Sequence, residues 1–294
     1  MARSLMLDAI DRSEEGGQWD LIIRAGKGWF DLHLRDLWRY RDLISLFVKR
    51  DFATFYKQTA FGPLWYIIHP LFTTVVFTVI FGKVARISTD GVPPFLFYLA
   101  GNVSWSYFAN CLNETSNTFV KNAAIFGKAY FPRLTVPISV IIINLAKFGI
   151  QLILFLGFYV YFIAAGSSVR PTFLILLLPV LILQMAVLSL GTGILISSFT
   201  TKYRDMIYVM TFIVQLWMYA SSVVIPASLI PERYRPIYML NPMASVIELF
   251  RCAFLGQGVV NAVYVGISWA VTLVALFGGI ILFSRVEKSF MDTV

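Results

Sequence analysis

Charge is what this 294-residue chain has least of. Only 14% of its residues are Asp, Glu, Lys or Arg, against 58% that are hydrophobic. Soluble domains are about a quarter charged and roughly half apolar, so the composition points to a polytopic membrane protein. Cysteine is scarce too: Cys111 and Cys252 lie in apolar surroundings and give no disulfide framework. Histidine is limited to His33 and His69, so no metal-ligand cluster can be read. A phosphate loop of the form G-x-x-x-x-G-K-S/T is missing. Gly26-Lys27-Gly28 and Gly127-Lys128-Ala129 both lack the upstream glycine and the hydroxyl residue. A secretory signal is also missing, because Met1–Asp20 carries Asp8, Asp11, Glu14 and Glu15 and no apolar core. Residues 1–28 read as a mobile cytoplasmic tail.

Long apolar runs fill most of the remainder. The pattern predicts an all-α integral membrane fold with spans at about 64–84, 95–119, 134–165, 173–199, 206–224 and 259–283. Each is long enough for the ~30 Å hydrocarbon core at about 1.5 Å per residue. Before them, residues 29–58 mix apolar positions with Arg35, Arg39, Arg41, Lys49 and Arg50. Leu37, Tyr40, Ile44, Phe47 and Val48 fall near one face, the pattern of an amphipathic helix lying in the interface. The same pattern suits a helix packed on a partner. The net charge of +8 is carried by bases flanking the spans, which speaks for topology and against nucleic acid. With both termini cytoplasmic, only Lys83, Arg86, Arg170, Arg233, Arg235 and Arg251 fall outside, and Lys147 lies within the third span. That bias fixes the orientation.

Residues 231–258 are too hydrophobic for a loop and too broken for a span. Asn241-Pro242 is a helix start and Gly256 a stop. The helix between them, about 14 residues or ~21 Å, falls short of the bilayer. A re-entrant hairpin on the outer side fits, buried in protein or lining water. It carries Glu248 and Arg251 at a spacing that lets them pair. No nucleophile, metal site or second carboxylate accompanies them, so they read as a structural ion pair or, with Asn241 and Pro242, an outer gate.

Three sets of polar and aromatic residues recur at helical spacing. Tyr208, Phe212, Gln215, Tyr219 and Ser222 mark one side of the fifth span, and Tyr66, His69 and Thr73, beside Trp65, mark the first. Aromatic walls with hydrogen-bonding groups suit a sugar polymer, whose rings offer C–H faces and hydroxyls. Trp65 and Tyr208 equally suit interfacial anchors. In the second span Asn102, Ser106, Asn110, Asn113 and Asn117 share a side; hydrogen bonding between helices is the leading reading and pore lining the alternative. Glu114 and Lys147 are costly in lipid and should face protein or water, possible partners for one another.

Five runs carry a family resemblance: RDLISLFVKRDFATFYKQTAFGPLWYIIHPL (Arg41–Leu71), YFPRLTVPIS (Tyr130–Ser139), YRDMIYVMTFIVQLWMYASSVVIP (Tyr203–Pro226), LNPMASVIELFR (Leu240–Arg251) and the tail VEKSFMDTV. Together, from about Trp38 onward, they resemble the membrane permease of ATP-binding-cassette exporters for polysaccharides such as O-antigen, capsule or teichoic acid. The resemblance implies a homodimer bound to two copies of a separate ATPase, which holds the ATP and Mg, this chain binding no cofactor. It implies a bacterial cytoplasmic membrane, a lipid-linked polysaccharide as substrate, and a path at the dimer axis. It places a coupling helix at Lys121–Arg133, where Ala123, Ile125 and Phe126 lie between bases, with Lys128 following. Arg204 and Asp205 in the turn before the fifth span are the second candidate contact with the ATPase. Lys49, Arg50 and Lys57 suit the pyrophosphate of a lipid-linked glycan and equally the headgroups of anionic lipids. Two other readings stand beside it: an intramembrane acyl- or glycosyltransferase, against which His69 stands alone, and an exporter of a small lipid or drug with the same architecture.

Overall fold

The computed structural model describes residues 34–58, 62–126, 131–201, 203 and 205–290, and no strand occurs among the described residues. The expected tail lies outside them, as do residues 29–33 of the expected interface helix. That helix is described as α1 (Leu34–Arg39) and α2 (Arg41–Gln58), broken at Tyr40. α3 (Trp65–Phe77) continues through a π-helical turn, Thr78–Val84. α4 (Pro94–Ser116) ends short of the expected Phe119, and α5 (Thr118–Phe126) follows as a separate helix. After α6 (Thr135–Ala164), a 3-10 turn at Phe173–Leu177 leads into α7 (Leu178–Thr200). α8 (Met206–Tyr219), α9 (Arg235–Tyr238), α10 (Pro242–Leu255) and α11 (Ala262–Phe290) complete the order.

Four described stretches are long and apolar enough to cross a membrane: Trp65–Val84, Thr135–Ala164, Phe173–Thr200 and Ala262–Arg285. Two of the six expected spans therefore lack that mark, for different reasons. α4 has 23 residues but is polar. It is the buried centre of the bundle, with Leu96, Tyr98, Leu99, Ala100, Val103 and Phe108 all inaccessible. Because α3, α6, α7 and α10 pack around it, its surface meets protein and need not be apolar all round. α8 has 14 residues, ~21 Å, and is too short by itself. The fifth span was expected to stay helical to Val224. The chain instead leaves the helix after Tyr219, and Ser222 takes φ +57°, the left-handed region that L residues seldom enter.

The closest helix pair is α7 with α11. A Cβ on Gly191 would lie 2.6 Å from the Leu276 backbone, and one on Gly279 would collide with the Gly191 carbonyl. Small residues are what allow membrane helices this approach. Gln184 Nε2 donates to Ser268 Oγ at 2.6 Å across the same pair, and Ser268 Oγ donates to the Pro242 carbonyl at 3.1 Å, tying α10 in.

A separate aromatic cluster closes the end of the bundle that carries α2 and α5. Phe119 of α5 stacks on Phe283 of α11 at 4.8 Å between ring centres, and Phe126 lies 5.6 Å from Phe131. Phe131 in turn lies 5.8 Å from Phe47 of α2. Val136 and Ile194 fill the gaps, so one small core joins α2, α5, α6, α7 and α11.

Candidate functional site

Unwinding α8 leaves residues 220–227 with backbone groups that no helix satisfies, a costly condition inside a bilayer. Polar side chains of Tyr238, Asn241, Glu248 and Arg251 meet four of them. Asn241 Nδ2 donates to the Ala220 carbonyl at 2.7 Å and to Ser221 Oγ at 2.8 Å. The Ser222 N–H donates to Tyr238 Oη at 2.6 Å, and Arg251 Nη2 donates to the Val223 carbonyl at 2.9 Å. The Ala227 N–H donates to Glu248 Oε1 at 3.0 Å, while Glu248 Oε2 takes the Val259 N–H at 2.9 Å. Asn241 also caps α10 by accepting from the Met243 N–H, with Pro242 following and Gly256 in the left-handed conformation at the far end.

Glu248 and Arg251 do pair, but at 3.7 Å, and both are almost wholly buried. The Arg251 guanidinium lies over Phe97, its carbon 3.5 Å from the ring centre, and Nε and Nη1 have no hydrogen-bond partner among the described residues. In this non-spanning helix burial lowers Arg251 to about 10, partly offset by Glu248, so it stays a cation at neutral pH. Tyr238 and Phe97 escaped sequence reasoning. Nothing local marks them, since their partners lie on other elements.

The α8 stripe is turned away from the chain's own bundle. Val214 is the buried residue of α8, and Trp217 packs against Trp105 and Phe108 of α4. Tyr208, Phe212, Gln215 and Tyr219 lie on the opposite side and are exposed, Tyr208 to 79%. Ser222 does not join them; it is buried in the unwound segment. On α3, Trp65 and His69 are exposed, and Thr73 returns its hydroxyl to the His69 carbonyl. Tyr66 faces inward, with Lys147 Nζ 5.5 Å from its ring centre. That lysine pairs with Glu114 Oε1 at 2.9 Å, and Asn144 Nδ2 donates to Glu114 Oε2 at 2.9 Å, so the two costly charges neutralise one another across α4 and α6.

At the opposite end Phe126 is buried in the aromatic cluster, and Ala123 and Ile125 pack partly against it. The exposed side of α5 is therefore Val120, Lys121 and Ala124. Asp205 is exposed just before α8. Lys128 and Arg204 lie outside the described residues, as does the Lys57 side chain. Lys49 and Arg50 are exposed on α2, and Arg50 bonds Asp51 at 2.7 Å while lying over Phe47.

A bundle of this kind, helical, multi-pass and with a buried polar centre, is that of an integral membrane protein. Residues 42–255 match the ABC-2 type transporter family, and the chain belongs to it. It is similar to the O-antigen export system permease protein RfbA of Klebsiella pneumoniae, 26% identical over 85% of this chain and 94% of the relative. The protein of the same name from Myxococcus xanthus is 26% identical over 89% of this chain and 98% of its own length. The polysialic acid transport protein KpsM of Escherichia coli is 24% identical over 83% and 93% respectively. The chain is thus a multi-pass permease of the bacterial inner membrane.

Proposed function

We propose that this chain is the transmembrane permease of an ATP-driven exporter that carries a lipid-linked polysaccharide, of O-antigen or capsule type, across the cytoplasmic membrane. The observation that carries the reading is the exposed aromatic and amide face of α8, directed away from its own bundle. In a homodimer, two such faces and the exposed Trp65 and His69 of α3 make a channel wall suited to sugar rings. In this arrangement α4 and α8 complete six spans, both termini are cytoplasmic, and α9–α10 form the outer re-entrant hairpin. Two copies of a separate ATPase, holding ATP and Mg, engage the exposed side of α5 and the turn at Asp205. Lys49, Arg50 and Lys57 meet the pyrophosphate at the inner interface. The names of relatives aligned over nearly their full length support the substrate class.

Two measurements test it. The chain should copurify with an ATPase and should not turn over lipid-linked sugar alone; such turnover would instead favour the transferase reading. Tyr219→Ala should slow polysaccharide export while leaving the dimer and ATPase assembly intact, and a normal export rate would sink the aromatic channel.

A further inference from the structure

The polar side of α4 divides into halves that the fold treats differently. Towards the Pro94 end, Asn102 is buried and its amide donates to the Pro70 carbonyl at 3.0 Å and to the Thr74 hydroxyl at 3.4 Å. That is the expected bonding between helices. Towards the Ser116 end, Ser106, Asn110, Asn113 and Asn117 are only half-buried. The side chains of Asn110 and Asn113 have no hydrogen-bond partner among the described residues. Asn117 is set apart: its Nδ2 donates to the Asn113 carbonyl at 2.8 Å and its Oδ1 is buried. Glu114 and Lys147 border the same strip, with 34% and 16% of their side chains exposed.

α4 is ~35 Å long and the hydrocarbon core ~30 Å. Ser106 therefore lies near mid-depth and Asn110 about 9 Å from the Ser116 end, where lipid headgroups do not reach. At that depth the unpartnered amide of Asn110, with Asn113 next to it and an ion pair at its edge, cannot face acyl chains. Water or a polar ligand must cover it. The Glu114–Lys147 pair is already neutralised internally, so the strip offers donors and acceptors without net charge. That chemistry fits hydroxyl groups, which also both donate and accept, better than phosphate.

We propose that the inner half of α4, from Ser106 to Asn113 with Glu114 and Lys147 at its edge, is a hydrated wall of the transport path that binds the hydroxyls of a glycan. This deepens the export reading above and rests on it for the identity of the ligand.

Cysteine accessibility in the assembled exporter tests the wall independently of export. Asn110→Cys and Asn113→Cys, in inside-out membrane vesicles, should react with a charged, membrane-impermeant methanethiosulfonate at least 10-fold faster than Ile153→Cys, whose exposed side chain lies on an apolar face. Rates equal to that control, or a disulfide between two copies in place of labelling, overturn the proposal. Asn110→Leu and Asn113→Leu should each lower surface polysaccharide several-fold, and Asn113→Ser, whose hydroxyl can likewise donate and accept, should retain most of it. Fast labelling with unchanged export in both leucine variants overturns the hydroxyl-binding role. Unchanged surface polysaccharide on deletion of the whole chain removes the export reading instead, while fast labelling still upholds a hydrated wall.

Discussion

Arg251 lies over Phe97 with its guanidinium carbon 3.5 Å from the ring centre, and through Nη2 it holds the Val223 carbonyl of the unwound segment. The cation thereby joins α4, α10 and the segment after α8. Its only acidic neighbour among the described ion pairs is Glu248. Glu248→Ala should strip the buried cation of its partner and free two backbone N–H groups, a loss on the order of 3–5 kcal/mol. The thermal unfolding midpoint of the detergent-solubilised protein should fall sharply. Arg251→Lys should not spare it, because a lysine lacks the planar face that stacks on Phe97. A midpoint within error of the parent for Glu248→Ala would disprove the role of the pair.

Neighbouring glycines of α11 should behave oppositely. Gly279→Ala places a methyl against the Gly191 carbonyl, whereas Gly278 has open space around its Cβ position. Overpacking costs about 1–3 kcal/mol. Gly279→Ala should lower the midpoint and Gly278→Ala should leave it level or raise it slightly, since alanine favours helix. Equal effects would mean that α7 and α11 are not in close contact.

Phe119 is fully buried on Phe283, so Phe119→Ala should cost about 3–5 kcal/mol through the cavity it leaves. The cost should be non-additive with Phe283→Ala, because both empty the same space. Strict additivity in a double-mutant cycle would show that the rings do not share a contact.

Lys147→Met removes one half of the pair at 2.9 Å and leaves Glu114 with Asn144 as its one side-chain partner among the described residues. Expression in the membrane and thermal stability should both fall. Adding Glu114→Gln should recover most of the loss, since removing both charges is far cheaper than stranding one. The idea fails if the double variant is no better than the single one.

Much of this arrangement was legible in the chain itself. Asn241-Pro242 and Gly256 bound α10 where cap chemistry put them, because caps depend on adjacent residues alone. The end of α8 was not legible. Residues 220–224 read as apolar helix, and what unwinds them are Tyr238, Asn241 and Arg251, far along the sequence. A local pattern cannot register such partners. The spacing of Glu248 and Arg251 announced a pair but not that the backbone of Val223, Ala227 and Val259 would be their main business. Phe126 looked like a surface knob because its neighbours are bases, yet packing against Phe119 and Phe131 turns it inward. The polar stripe of α4 was visible as a stripe, though its division at Ser106 depends on where α3 happens to cover it.

The stapled turn gives α8 an uneven mechanical support. Its Tyr219 end is pinned by hydrogen bonds to α9 and α10, while along its length only Val214 is buried and Trp217 rests on α4. α8 is thus a cantilever, fixed at its Tyr219 end and freer towards Asp205. A displacement at Asp205 is carried almost whole to the adjoining turn of the helix and hardly at all to the Tyr219 end. The helix would then lift from its own bundle first beside Tyr208 and last beside Tyr219.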